Sequence, residues 1–173
     1  MKKIDSLEFA LNFEKKGTIL YLDMARKNKN ILSKQLFYSL ASQEVDHAKK
    51  ADDTYEILNK NIKDKSISLS KNLPSVELSL KEFFAKAKKI DLRKDVKNIT
   101  GYELAMDMEI TGYNAYRNFY KSTKNEIEIK LFEQLMAQEK EHLDSLRNVY
   151  YYLTDTGNWF EEEESKIWSW MNI

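Results

Sequence analysis

The sequence predicts an all-α fold: a four-helix bundle built from two helical hairpins joined by one long crossover. Three observations carry this. The N-terminal segment repeats at an offset of 95 residues without a gap, superimposing Glu8 on Glu103, Ala10 on Ala105, Glu14 on Glu109, Gly17 on Gly112, Tyr21 on Tyr116, Leu36-Phe37 on Leu131-Phe132, Gln43-Glu44 on Gln138-Glu139 and His47 on His142. A gapless repeat of this kind is a duplicated structural unit. Apolar residues recur at spacings of three and four within each copy, the period of a helix with one inward face. Finally, one proline and four glycines among 173 residues leave little punctuation for a sheet.

The elements follow in order. A first helix over about 6–27 carries the stripe Leu7, Ala10, Leu11, Thr18, Tyr21, Leu22, Ala25, with Glu14 in its middle. Asp5 with Glu8, and Thr100 with Glu103, read as capping boxes at equivalent repeat positions. The chain turns at Asn28-Lys29-Asn30 into a second helix, about 31–59, whose seam is Phe37, Leu40, Glu44, His47, Ala51, Tyr55, Leu58. Residues 60–99 lie outside the repeat and form the crossover, broken at Asn72-Leu73-Pro74-Ser75, with a short helix expected over about 76–90. A third helix, about 101–121, aligns Tyr102, Ala105, Met106, Glu109, Tyr113, Tyr116 and Tyr120. A fourth, about 126–153, repeats the second seam as Phe132, Leu135, Glu139, His142, Leu146, Tyr150, Leu153. The bundle therefore takes residues 1–155, with repeat halves of about 5–60 and 100–155. Residues 156–173 form an aromatic and acidic tail with three tryptophans, expected to cover a bundle end or a subunit contact.

Bulk properties narrow the function. Lys+Arg and Asp+Glu balance at 28 each, so no strong field argues for nucleic acid or an anionic membrane. The absence of cysteine excludes a disulfide framework, a thiolate zinc site and an iron–sulfur cluster. Asp5 and Glu8 interrupt any apolar run behind Lys2-Lys3, and no apolar stretch is long enough to span a bilayer. The expectation is a cytoplasmic protein of one domain.

Placement makes six polar residues informative. Glu14, Glu44, Glu109 and Glu139 fall on stripes that should face inward, and His47 and His142, the two histidines of the chain, lie three residues after Glu44 and Glu139. An unpaired buried carboxylate costs several kcal/mol, and four together repel one another. No lysine or arginine shares the seams. Two divalent cations balance the four negative charges, and neutral imidazoles complete the coordination without adding charge. Residues i and i+3 share a helix face, so each Glu-x-x-His pair can chelate or bridge a metal. Inward Glu from two helices plus Glu-x-x-His from two others is the dimetal carboxylate pattern of helical bundles.

On the segments Ala10-Leu-Asn-Phe-Glu14, Gln43-Glu44-Val-Asp-His47, Met106-Asp-Met-Glu109 and Gln138-Glu139-Lys-Glu-His142, the chain resembles the rubrerythrin-like branch of the ferritin-like superfamily over about residues 5–155. The tail segment Asp155-Thr-Gly-Asn-Trp159-Phe160 resembles one found after the fourth helix in such proteins. The resemblance implies a non-haem diiron site that reduces hydrogen peroxide or dioxygen with electrons from a partner. Glu44 and Glu139 are then the bridging carboxylates, Glu14 and Glu109 terminal ligands, and His47 and His142 one ligand to each metal. It also implies a ferritin-like bundle, a homodimer, and an external donor such as a rubredoxin-type protein, since rubrerythrins carry a four-cysteine iron domain that a cysteine-free chain cannot contain. Rubrerythrins proper place a second glutamate one turn after the third-helix ligand, for redox-linked ligand exchange. That position is Gly112 in this sequence.

Supporting positions have competing readings. Gly17 and Gly112 follow their glutamates by one turn; each serves either close approach of neighbouring helices, the preferred reading, or open space for a small oxidant. Tyr21 and Tyr116 are either hydrogen-bond donors to the ligand carboxylates or core aromatics. Gln43 and Gln138 either bond the free ring nitrogen of a facing histidine or occupy solvated helix positions, the default for glutamine. For the metal, iron is expected, with manganese and zinc as alternatives. Beside the redox enzyme stand an iron-handling ferroxidase or storage protein, which needs a closed cage, and a non-catalytic metal-stabilised module.

Overall fold

The structure, a computed structural model, describes residues 3–59 and 99–154. Four helices account for nearly all of them: α1 (Lys3–Lys27), α2 (Ile31–Asn59), α3 (Ile99–Ser122) and α4 (Glu126–Thr154). No strand occurs among the described residues. The short helix expected over about 76–90 and the tail 156–173 lie outside them.

Local chemistry sets the hairpin turns. In the first, the Asn30 side chain accepts from Ser33 N at 3.2 Å, and Asn28 Oδ1 accepts from Asn30 N at 3.0 Å. In the second, Asn125 Oδ1 accepts from Ile127 N at 2.9 Å and Glu128 N at 3.3 Å. The repeated Lys-Asn pair thus supplies an asparagine cap to both inner helices, satisfying amide groups that the first turn leaves unpaired. Asp5 and Thr100, expected as capping positions, both have helical backbone, within the spans of α1 from Lys3 and of α3 from Ile99. Glu103 instead accepts a hydrogen bond from Tyr150 of α4 at 2.9 Å.

Each hairpin packs tightly on itself, α1 on α2 and α3 on α4, and the hairpins meet through α1 on α3 and α2 on α4. The core falls into two apolar layers. One gathers Tyr21, Leu36, Phe37, Leu40, Tyr102, Leu146 and Val149; the other gathers Leu7, Ala10, Ala51, Tyr116, Leu131, Phe132 and Leu135. Glu14, Glu44, Glu109 and Glu139 sit in sequence between the residues these layers take from their helices. Two residues assigned to the α1 stripe are misplaced by the periodicity argument: Leu11 and Leu22 are exposed, and Thr18 is half-buried. A seven-residue step returns close to the same helix face, so Leu7, Glu14 and Tyr21 define the inward line, and Leu11 and Leu22 fall on its flank.

Candidate metal centre

One ligand candidate comes from α1, one from α3, and a Glu-x-x-His pair from each of α2 and α4. All six are at most 1% exposed. They form two groups that could each hold a metal ion: Glu14, Glu44, His47 and Glu139 in one, and Glu44, Glu109, Glu139 and His142 in the other, with the potential ligand atoms of a group within 4.8 Å of one another. Glu44 and Glu139 belong to both. The two imidazoles lie nearly parallel, with centroids 5.3 Å apart.

Both histidines turn Nδ1 toward the carboxylates. His47 Nδ1 lies 3.3 Å from Glu14 Oε2, 3.8 Å from Glu139 Oε1 and 3.9 Å from Glu44 Oε2. His142 Nδ1 lies 2.9 Å from Glu44 Oε1 and 3.5 Å from Glu109 Oε2, yet is directed as a hydrogen bond to neither. Both oxygens of Glu44 and of Glu139, Glu109 Oε2 and His142 Nδ1 are buried without a hydrogen-bond partner. Buried polar atoms are almost always satisfied, so a convergent group of six that are not requires another partner, and hard oxygen donors with imidazole nitrogen suit a divalent cation. The donor set fits the metal pair expected from the sequence.

Electrostatics agree. Burial, the Glu44 charge and contact with Glu44 raise the Glu14 carboxyl to about 8. Burial and the neighbouring Glu109 and Glu14 charges push Glu139 well above the carboxylate range. For Glu44 burial acts the same way, but contacts with Glu14 and His142 outweigh it and hold the group at about 2. Burial would lower both histidines, yet Glu14 raises His47 and Glu109 raises His142 well above 6.5. Without cations the cluster compensates its negative charge with protons; among the described residues the main causes of these shifts are burial and the cluster's own carboxylates and imidazoles.

The supporting residues resolve their competing readings. Tyr21 OH donates to Glu109 Oε1 and Tyr116 OH donates to Glu14 Oε1. Each tyrosine serves the ligand of the opposite repeat, because α1 and α3 run antiparallel: residue 21 lies level with 109, and 116 with 14. Gln43 is buried, and its Oε1 lies 3.3 Å from His142 Nε2, so the solvated reading is wrong for it. Gln138 is half-buried and donates to Glu141 at 3.4 Å, so the duplicate contact to His47 is not made.

The glycines serve close packing of the neighbouring helices, and the open-space reading is wrong. A Cβ at Gly17 would meet Glu44 Oε2 at 2.9 Å and Met108 Cε at 3.2 Å; one at Gly112 would meet Phe13 Cε1 at 2.5 Å and Glu139 Cδ at 3.5 Å. The space is filled, by side chains rather than by neighbouring backbone. Phe13 and Met108 are themselves repeat equivalents, each one residue before a ligand glutamate, and the offset of 95 could have found them. The Phe13 ring also occupies the space into which a side chain at 112 would project. Gly112→Ala is expected to destabilise the fold, since overpacking against a ring costs about 1–3 kcal/mol and exceeds the ~1 kcal/mol gained in helix propensity. Gly17→Ala, meeting the movable end of Glu44, keeps its stability but retains metal less well. Thermal melts and metal content of the two variants check this contrast.

A sequence model of the family described as Rubrerythrin matches residues 5–150. Comparison with curated proteins and with solved structures gave no match.

Proposed function

This chain belongs to the rubrerythrin family, and on that premise we propose that it is a cytoplasmic non-haem diiron oxidoreductase reducing hydrogen peroxide or dioxygen with electrons from an external donor. The observation that carries the reading is the pair of buried four-residue groups sharing Glu44 and Glu139. Glu14, His47 and the two shared glutamates would hold one ion; Glu109, His142 and the same two glutamates would hold the other. When bound, two redox-active ions supply the pair of electrons that cleavage of an O–O bond consumes.

The chain's own residues do the rest. Tyr21 and Tyr116 fix Glu109 and Glu14 by hydrogen bonds to one oxygen of each. Gln43 holds the His142 ring with Nδ1 facing the cluster, as outer hydrogen bonds do for ligating imidazoles. The two apolar layers limit water on either side. These 173 residues hold no cysteine and so supply no thiolate-bound iron relay, in keeping with an external donor. No helix among the described residues is long and apolar enough to cross a membrane.

The test is anaerobic loading with ferrous iron followed by hydrogen peroxide, with absorbance read on the millisecond-to-second scale. The proposal expects two bound ferrous ions oxidised per peroxide consumed, and a return to the ferrous form when a low-potential donor is added. Bound ferrous iron that peroxide leaves unchanged would overturn it.

A further inference from the structure

The wall of the metal centre is thinnest at its two glycines. Gly17 lies against Glu44 and Gly112 against Glu139, the two shared glutamates. Each glycine is faced by the residue that precedes a ligand glutamate on the other helix, Met108 at Gly17 and Phe13 at Gly112. The two places are equivalent under the offset of 95, yet they are walled by different chemistry.

Phe13 is clamped. Its ring stacks on Phe9 with centroids 5.7 Å apart and meets Tyr116 edge-on at 6.1 Å, and Phe9 in turn meets Phe119 at 5.4 Å. The repeat equivalents of Phe9, Phe13 and Phe119 are Leu104, Met108 and Met24. Leu104 is 55% exposed, so the counterpart of the ring that braces Phe13 is turned to solvent. Met108 is unbranched, with three rotatable bonds and a polarisable sulfur, and yields where a clamped ring does not.

Met108 also reaches further than its exposure suggests. The side chain is half-buried, and its methyl end enters the notch at Gly17. A Cβ placed there would lie 3.2 Å from Met108 Cε and 2.9 Å from Glu44 Oε2. The sulfur, one bond from that methyl, therefore stands beside a carboxylate common to both metal groups. Exposure alone does not set it apart, because Met24, Met106 and Met136 are half-buried as well. Its contact at Gly17 does.

We propose that Met108 is an oxidation site of the metal centre, converted to the sulfoxide by hydrogen peroxide when no external donor supplies electrons. The sulfur attacks one peroxide oxygen, and the O–O bond breaks as the S–O bond forms. Sulfur gives up two electrons, and the second oxygen leaves as water with both protons. A flexible apolar side chain thereby becomes a polar one. Its new oxygen is a hydrogen-bond acceptor set beside Glu44 Oε2, itself an acceptor, and their repulsion loosens the ions that Glu44 holds. Oxidation at this position makes metal retention depend on peroxide dose. The inference rests on the proposed reaction for the identity of the oxidant, whereas the measured quantities are the position of the added oxygen and the metal content.

The test treats the iron-loaded full chain with excess hydrogen peroxide and no donor. Iron absorbance is followed, and the methionine peptides are weighed at successive times. Sulfoxide is expected to form about tenfold faster at Met108 than at Met24, Met106 or Met136, because the oxidant is held beside it. In the metal-free chain the four rates should draw together. Met108→Leu, which conserves volume, should bind two ions and keep them under the same treatment, while the wild type loses metal in step with Met108 oxidation. Sulfoxide that is absent or spread evenly over the four methionines overturns the inference, even where the iron is oxidised and the redox reading stands. Equal metal loss from Met108→Leu overturns it too. Iron that stays ferrous while Met108 is oxidised first contradicts the redox reading and leaves the oxidation site in place.

Discussion

Removing the metal is expected to make the fold increasingly unstable as pH rises from 5 to 9, and restoring it should reverse that trend. Glu14 is raised to about 8, Glu139 is raised well above its ordinary value, and His47 and His142 are raised as well. A group whose pKa is higher in the folded than in the unfolded chain stabilises the fold fully below its unfolded value, and loses that contribution as pH climbs through the folded one. For Glu14 the window runs from 4.5 to about 8. Glu44 has the opposite sign: its contribution is present above 4.5 and lost as pH falls toward 2. The metal-free chain should therefore be most stable near pH 4.5, where the Glu44 contribution is complete and that of Glu14 has not yet fallen. At ~1.4 kcal/mol per pKa unit, shared among interacting groups, the loss by pH 9 is on the order of 3 kcal/mol, or roughly 6–12 °C in melting temperature for a domain of this size.

Divalent ions replace those protons. Metal at a thousandfold excess over its dissociation constant stabilises the fold by about 4 kcal/mol per site. Because the ligands must shed protons to bind, this gain should be largest at pH 8–9 and shrink toward pH 5, with apparent affinity falling about tenfold per pH unit for each proton displaced. Calorimetric melts of chelated and manganese-loaded protein across this range check it. A metal-free melting temperature that rises from pH 5 to 9 would contradict the buried cluster.

The second large effect belongs to the shared glutamates. Glu44→Ala removes a carboxylate from both groups at once and leaves each with three candidate ligands. Binding of the second metal is expected to be abolished, and Glu139→Ala should behave the same way. Glu14→Ala and Glu109→Ala each impair one group and should spare the other ion. Glu8→Ala, at an exposed position, should leave the stoichiometry unchanged. Circular dichroism should show the helices retained in each case, because the apolar layers on both sides of the cluster are intact.

Much of this was legible in the residues. The offset of 95 exposed the duplication, helical period placed four glutamates inward, and burial cost turned their placement into a requirement for cations. Helix limits agreed to within three residues. What was not legible depended on how the helices meet. That Tyr21 serves Glu109 and Tyr116 serves Glu14 follows from the antiparallel pairing of α1 and α3, which no single-helix period contains. Gln43 and Gln138 are identical in the repeat, yet only the former contacts a histidine; duplication fixes residue type, whereas the packing of two unequal hairpins fixes the contact. Leu11 and Leu22 look inward on a broad stripe and lie outward on the actual one. A list of apolar residues does not give the angle at which a helix presents its face. The glycines are intelligible only once Phe13 and Met108 are seen filling the space beside them.

The central claim is a bundle interior that holds two cations on four carboxylates and two imidazoles. Its most direct test is the metal content of the wild-type chain after anaerobic loading with ferrous iron and removal of unbound ion on a desalting column. Two ions per chain are expected in the wild type and no more than one in Glu44→Ala. A wild-type chain that retains none, or one whose two ions survive the loss of Glu44, would contradict it.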